Sequence, residues 1–182
     1  MISQLFRSIH NFLNYHFGAL IAIMAVFLAL WALAEYLLYR RPLAYKVFNR
    51  VMFAASIVLI IGTTLVHRTV TEYKVSVMPF SLLFQSFGNP ILFMSLVLNV
   101  FLFIPFSLFG CSTFRCLSGK PALIFIIAGV AFSALIEFAQ YVFSIGRSEI
   151  DDVICNSLGL LLGYLFYRLH DRYIIKKIKE KK

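Results

Sequence analysis

The chain has 182 residues, of which 61% are hydrophobic and only 14% are charged. An ordinary globular domain has about 25% charged residues, and a soluble domain of this length buries only about 70% of its unfolded surface. So much apolar surface cannot be hidden in a soluble domain, which is therefore excluded, and the same composition excludes a disordered chain. The composition predicts an all-α fold, a polytopic helical bundle in a membrane.

Five apolar stretches approach the roughly 20 residues that a helix needs to cross a bilayer. Spans one to five are Phe17–Tyr39, Val47–Val66, Ile91–Phe109, Pro121–Phe143 and Asp152–Leu169. Span three has Asn89 as its predicted N-cap and Pro90 at its first position, and Pro105 inside it predicts a kink. Because the apolar runs are continuous rather than alternating, a β-barrel is excluded.

Three regions follow from this pattern. Residues 1–46 hold a short amphipathic helix on the membrane surface, with apolar residues at helical spacing from Ile2 to Leu13, and then an extra span. The apolar run behind that helix is too long for a cleavable signal peptide. Residues 47–170 form a four-helix membrane core, and residues 171–182 form a basic tail.

The basic residues are unevenly placed and predict the orientation. Thirteen of the 17 lie between spans one and two, between spans three and four, or near the C-terminus, and four lie on the other side. The positive-inside rule then places the C-terminus in the cytoplasm and the N-terminus outside. The basic tail fits attraction to anionic membrane lipids, so no nucleic acid is expected as a partner despite the net charge of +9.

The three cysteines do not indicate a disulfide framework or a metal centre. Cys111 and Cys116 lie at the predicted cytoplasmic end of span three, a reducing location, and Cys155 lies inside span five. The first two lack partner ligands for a metal, so neither a metal nor a cofactor is expected. Acylation of Cys111 or Cys116 stays an open alternative.

Polar residues concentrate on one face of span four and one face of span five. The span-four face consists of Gly129, Ser133, Glu137, Gln140 and Ser144, and the span-five face consists of Asp152, Asn156, Gly159 and Gly163. Steps of three and four residues place each set on one side of a helix. As an antiparallel hairpin, the two spans would bring Gln140 opposite Asn156 and Glu137 opposite Gly159, with the glycines allowing close approach of the backbones.

The connection between these spans carries further signals. Gly146 suits a left-handed residue at the end of span four, and Ser148-x-x-Asp151 has the spacing of a capping box. Ionisable residues inside a membrane are costly and usually functional. Glu137 would pair with Arg147, accept hydrogen bonds from Gln140 or Asn156, or be protonated. The cluster either holds two helices together or faces a ligand.

If the cluster faces a ligand, two upstream elements are expected to complete a pocket around it. After Pro79, the apolar residues Phe80, Leu83, Phe84 and Phe87 predict an amphipathic helix in the outer interface or a re-entrant segment. On span three, Asn99 is expected to hydrogen-bond between helices.

These residues together resemble the VanZ-like family. The resemblance rests on Ser133-x3-Glu137-x2-Gln140, Gly146-Arg147-x4-Asp152 and Asn156-x2-Gly159-x3-Gly163, with Met78-Pro79-Phe80 and the Asn99–Pro105 segment upstream. It covers roughly Val47–Leu169. Family members are small polytopic bacterial membrane proteins, and the name-giving member is associated with low-level resistance to teicoplanin, a lipoglycopeptide.

The resemblance implies a functional cluster and supporting residues. The cluster is Glu137, Gln140, Arg147, Asp152 and Asn156, and the supports are Ser133, Asn99, Pro79, Pro105, Gly159 and Gly163. The first hypothesis is an envelope protein of the bacterial plasma membrane whose outward pocket binds the lipoglycopeptide, an anionic envelope polymer or a lipid-linked precursor.

The alternatives are an enzyme acting on a lipid-linked substrate, or a transporter with Glu137 as a proton relay. The sequence has no nucleophile elbow, phosphate loop or metal-ligand set, which favours a protein that is not an enzyme. It has no obvious inverted repeat of the kind found in many carriers.

Overall fold

The computed structural model describes residues 18–38, 41–66, 75–76, 78–86, 89–145 and 148–172. The helices within these ranges are α1 Gly18–Leu38, α2 Pro42–Ile61, α3 Ser81–Ser86, α4 Pro90–Phe114, α5 Lys120–Phe143 and α6 Ile150–His170. A π-helical turn, Gly62–Val66, continues α2. The predicted N-terminal amphipathic helix, most of the basic tail, Gly146 and Arg147 lie outside the described residues.

The prediction of an all-α bundle with five spans is confirmed. Every helix in the described ranges except the short α3 is long and apolar enough to cross a membrane. The outward faces carry apolar side chains such as Val58 and Ile124, whose exposed fractions are 70% and 65%. Such a surface suits hydrocarbon rather than water, and the chain is a multi-pass membrane protein.

The helix ends follow from local sequence. The side chain of Asn89 caps α4 by accepting the backbone N–H groups of Ile91 at 3.0 Å and Leu92 at 3.4 Å. Pro90 occupies the first turn, where its missing N–H has no cost. At the end of α5, Ser144 is left-handed with φ 53°, and the N–H of Ile145 donates to Gln140 O at 2.9 Å. This is a Schellman-type ending in which Ser144 takes the left-handed position.

The core of the bundle is α4, which packs against α6 most extensively and also against α2, α3 and α5. Phe103, Leu108 and Phe109 of α4 are completely or almost completely buried, and the rings of Phe106 and Phe132 stack with centroids 5.6 Å apart. The helix continues through Pro105 to Phe114, beyond the predicted end at Phe109. One central helix therefore sets the positions of the helices around it.

Two short strands tie the segment before α4 to the connection between α5 and α6. Strand β1 (Val75–Ser76) pairs in parallel with strand β2 (Ser148–Glu149), with Val75 beside Ser148 and Ser76 beside Glu149. Since β2 immediately precedes α6, this pairing fixes the place where α6 begins.

Candidate functional site

The last residue of the connection between α5 and α6 lies beside α5 rather than beyond its end. The backbone N–H of Glu149 donates to Glu137 Oε2 at 2.9 Å. Glu137 lies six residues before the end of α5 at Phe143, which corresponds to about 9 Å along a helix axis. The first turn of α6 therefore lies beside Glu137, well before the C-terminal end of α5.

Three carboxyl groups gather at this helix start. Glu137 is 7% exposed, and Asp151 and Asp152 in the first turn of α6 are each 4% exposed. The N-terminus of a helix carries unpaired N–H groups and a partial positive charge, which favours nearby anions. The partial positive charge at the start of α6 therefore stabilises carboxylates that are buried at this depth.

Asp151 holds the short helix α3 against α6. Its Oδ1 atom accepts the N–H of Phe80 at 2.5 Å, and its Oδ2 atom accepts the N–H groups of Leu82 at 2.6 Å and Leu83 at 3.3 Å. Phe80 lies just before α3 and Leu82 and Leu83 lie in its first turn, so Asp151 satisfies backbone N–H groups at the start of this helix. The predicted capping box is wrong, because Glu149 is the N-cap of α6 and the Asp151 carboxylate is used by another helix.

A second polar layer lies deeper between α5 and α6. Asn156 Nδ2 donates to Ser133 Oγ at 2.8 Å, and the two residues are 3% and 0% exposed. One turn further, Gly129 lies against Leu160. The predicted pairing of Gln140 with Asn156 and of Glu137 with Gly159 is therefore wrong by about two helical turns. The cause is that α6 begins beside Glu137, whereas the prediction assumed that α5 ends and α6 begins at the same level.

The glycines of α6 face α4 rather than α5, which corrects the predicted packing. A Cβ at Gly159 would overlap the carbonyl oxygen of Val100, and one at Gly163 would lie 2.6 Å from the carbonyl oxygen of Ile104. Ser107 Oγ donates to Leu160 O at 2.7 Å across the same interface. The Gly159-x3-Gly163 spacing thus serves a close parallel contact of α6 with α4.

Gln140 reaches α2 instead of α6. Its Nε2 atom donates to the carbonyl oxygen of Thr64 at 3.1 Å, and the side chain is 1% exposed. Thr64 belongs to the π-helical turn Gly62–Val66, and wide turns of this kind recur at functional sites. Gln140 therefore connects the end of α2 to the face of α5 that carries Glu137.

Three buried amide groups keep hydrogen-bonding capacity. Gln140 Oε1, Asn156 Oδ1 and Asn99 Nδ2 have no hydrogen-bond partner among the described residues. Asn99 lies on α4 and is 8% exposed. Because Val100 and Ile104 lie beside Gly159 and Gly163, the parallel register brings Asn99 to about the level of Asn156.

We call Asn99, Glu137, Gln140, Asp152 and Asn156 the polar cluster. Both donors and acceptors in it are available, and a buried amide without a partner is costly. The arrangement can therefore hold water or a ligand through hydrogen bonds.

The remaining predicted residues have different surroundings. Arg147 lies outside the described residues, so its pairing with Glu137 stays a prediction. Pro79 is exposed in the turn before α3, where Phe80 has a left-handed φ of 63°. In α3 the buried residues are Leu82 and Ser86, whereas Phe84 is 70% exposed.

The described ranges contain three cysteines, and their arrangement bears on metal and thiol chemistry. Within the described ranges, no three His, Cys, Asp or Glu residues are grouped so that they could hold a metal ion. Cys111, Cys116 and Cys155 are free, and the first two are buried. Cys116 follows α4, and burial raises the pKa of its thiol above the ordinary value.

Sequence reasoning missed a second polar group at the opposite end of the bundle. Glu35 of α1 is 1% exposed and lies beside Tyr45 and Asn49 of α2 and Ser112 of α4. The available signal was an acidic residue within the first apolar span, the same signal that identified Glu137.

Two comparisons with known proteins give matches for this chain. Residues 26–171 match the family model described as VanZ/LLP1. Over 94 residues, 52% of this chain, the sequence is 33% identical to Protein VanZ of Enterococcus faecium. That match spans 55% of the relative, so the chain covers about half the length of this curated protein. No solved structure matches.

Proposed function

Since the chain belongs to the VanZ/LLP1 family, we propose that it is a bacterial envelope protein that contributes to low-level tolerance of teicoplanin. Its place is the plasma membrane, with the C-terminus in the cytoplasm and the N-terminus outside, as the distribution of basic residues favours. In that orientation the end of the bundle that holds the polar cluster faces the outer side, where a lipoglycopeptide and envelope polymers are found.

The single observation that carries the proposal is the combination of buried carboxyl groups and unpaired amide atoms at the start of α6. Glu137 is 7% exposed and Asp152 is 4% exposed, and Asn156 Oδ1 has no partner among the described residues. Polar groups buried this deeply are costly unless something hydrogen-bonds to them. Two helices can be joined without buried carboxyl groups, as the close contacts at Gly159 and Gly163 join α6 to α4.

The ligand is the drug itself, an anionic envelope polymer or a lipid-linked precursor. Carboxylates and amide oxygens accept hydrogen bonds from the amide and sugar groups of such molecules, and Arg147 would pair with their anionic groups. Binding in the outer leaflet lowers the drug concentration that reaches its target.

The test is the teicoplanin susceptibility of a deletion strain complemented with wild-type protein, Glu137→Gln, Asn156→Ala or Phe138→Leu. Phe138 neighbours Glu137 on α5 but is 62% exposed, so its variant is the matched control. We expect wild type and Phe138→Leu to restore tolerance and the two cluster variants to fail at equal amounts of protein in the membrane. Unchanged susceptibility on deletion would exclude the proposal.

A membrane enzyme or carrier acting on a lipid-linked envelope substrate is the second candidate. It is favoured by the burial of Glu137 and Asp152 at one helix start, since paired carboxyl groups suit acid–base chemistry or proton transfer. Purified protein incubated with labelled lipid-linked precursors, and proteoliposomes loaded with them, would show conversion or flux that Glu137→Gln abolishes. The absence of both conversion and flux across such a panel would exclude this candidate.

A further inference from the structure

The end of the bundle opposite the polar cluster contains a cavity with basic side chains around it. The cavity has a volume of about 290 Å³ and lies between the first half of α2 and the end of α4. Its cations are Lys46 and Arg50 of α2 and Arg115, which follows α4. Arg115 has a left-handed backbone conformation, with φ 55°. The chain turns there at the end of α4, and Arg115 lines the cavity.

No carboxylate of the described residues lines this cavity. Glu35 is the acidic side chain behind it, 1% exposed and adjacent to Asn49 and Ser112. Three cations against the buried Glu35, and against Asp171 within electrostatic range of Glu35, still leave an excess of positive charge. Such a cavity attracts an anion, and a low-dielectric wall strengthens that attraction.

The floor of the cavity is polar and incompletely paired. Asn49 and Ser112 are 1% and 5% exposed and, with Thr113, line the cavity. Asn49 Nδ2 donates to Tyr45 O at 3.1 Å and Ser112 interacts with Glu35 and Tyr45, whereas Asn49 Oδ1 and Thr113 Oγ1 have no partner among the described residues. Hydroxyl groups can donate to an anion, so the floor offers directional hydrogen bonds in addition to charge.

We propose that this cavity binds the phosphate group of a phosphate ester, with Lys46, Arg50 and Arg115 supplying charge and the floor hydroxyls supplying hydrogen bonds. Guanidinium groups match phosphate oxygens in two-point contacts, and lysine adds a point charge. The volume is at the lower end of the range for small-molecule sites, about 300–1,000 Å³, which suits a head group rather than a whole lipid.

The position of the cavity indicates where such a phosphate would come from. Lys46 and Arg50 lie in the first half of α2 and Arg115 lies just beyond α4, so all three lie toward the same end of the bundle. Basic pockets between membrane helices bind the head groups of anionic lipids. The same chemistry would also accept a free phosphate ester from the adjoining solution, so the experiment separates the two.

The experiment uses the full chain in detergent micelles, titrated calorimetrically with short-chain phosphatidylglycerol, zwitterionic short-chain phosphatidylcholine and glycerol 3-phosphate. The variants are Arg50→Gln, Ser112→Ala and the control Lys120→Gln, whose residue is exposed at the same end of the bundle but does not line the cavity. Thermal unfolding of each variant confirms that it folds.

We expect phosphatidylglycerol to bind more tightly than phosphatidylcholine, and Arg50→Gln to weaken that binding by roughly 10- to 100-fold. Ser112→Ala should weaken it by roughly 3- to 10-fold, and Lys120→Gln by less than about twofold. Competition by glycerol 3-phosphate supports a soluble ester as the source, and binding of the lipid alone supports the head group of a membrane lipid. Equal losses for Arg50→Gln and Lys120→Gln, or no preference for the anionic lipid, would overturn the proposal.

Discussion

The carboxylate of Asp151 accepts a hydrogen bond from the backbone N–H of Leu82 at 2.6 Å, joining residues 69 positions apart. The same carboxylate also accepts the N–H groups of Phe80 and Leu83. A side chain at the start of one membrane helix thus satisfies the N-terminus of another helix. This contact and the pairing of β1 with β2 connect α3 to the region of the polar cluster.

Asp151→Ala should therefore release α3 and destabilise the protein. A hydrogen bond to a charged group contributes about 1.5–3 kcal/mol, and water can replace part of the three bonds once Asp151 is removed, so we expect a loss of about 2–4 kcal/mol with increased proteolysis near residues 78–86. Thermal unfolding in detergent and limited proteolysis measure both effects. Ser157→Ala is the control, since Ser157 Oγ bonds only locally to Val153 O at 2.7 Å. If both variants behaved alike, the long-range contact would have no role.

The fold was largely predictable because its signals are local. The apolar runs set the spans, and Asn89 with Pro90 marks the start of α4 in both sequence and structure. The register of α5 against α6 was not predictable in the same way. It depends on Glu149 meeting Glu137 and on Asp151 meeting α3, and neither contact has a local sequence signal.

The positions of polar residues on the faces of α5 and α6 were predictable, whereas their contacts were not. Ser133, Gln140 and Asn156 are all buried as expected, yet Asn156 contacts Ser133 and Gln140 contacts α2. The spacing of polar residues indicates which of them share a helix face, but it does not indicate which neighbouring helix packs against that face.

The α4–α6 interface should tolerate no side chain at Gly159. A Cβ there would overlap the Val100 carbonyl oxygen, which is backbone and cannot move away cheaply. Gly159→Ala should cost about 1–3 kcal/mol, as overpacking of a closely packed interior does. Unfolding in mixed micelles measures the cost, with Gly18→Ala as control because a Cβ at Gly18 meets nothing within 4 Å. Equal stability of the two variants would contradict the close contact.

The hydrogen bond between Asn156 and Ser133 should give measurable coupling. The two side chains lie 2.8 Å apart and are almost fully buried. A double-mutant cycle of Ser133→Ala and Asn156→Ala should return about 0.6–1.7 kcal/mol, the range for interhelical bonds in membranes. The free energies come from denaturant titration in mixed micelles. Additive effects would show that the two residues act independently.

Cys116 should react slowly with alkylating reagents, because burial both covers the thiol and raises its pKa. It is 1% exposed, and the neighbouring Leu117 is 40% exposed. In a chain with Cys111→Ala and Cys155→Ala, we expect Cys116 to react more slowly than Leu117→Cys introduced into a chain that also lacks Cys116, because the thiol is covered and its raised pKa leaves less thiolate at neutral pH. Because a raised pKa keeps the thiol neutral to higher pH, the rate for Cys116 should still be rising between about pH 8 and pH 9. N-ethylmaleimide labelling followed by mass spectrometry measures both rates, and equal rates at neutral pH would show that Cys116 is accessible.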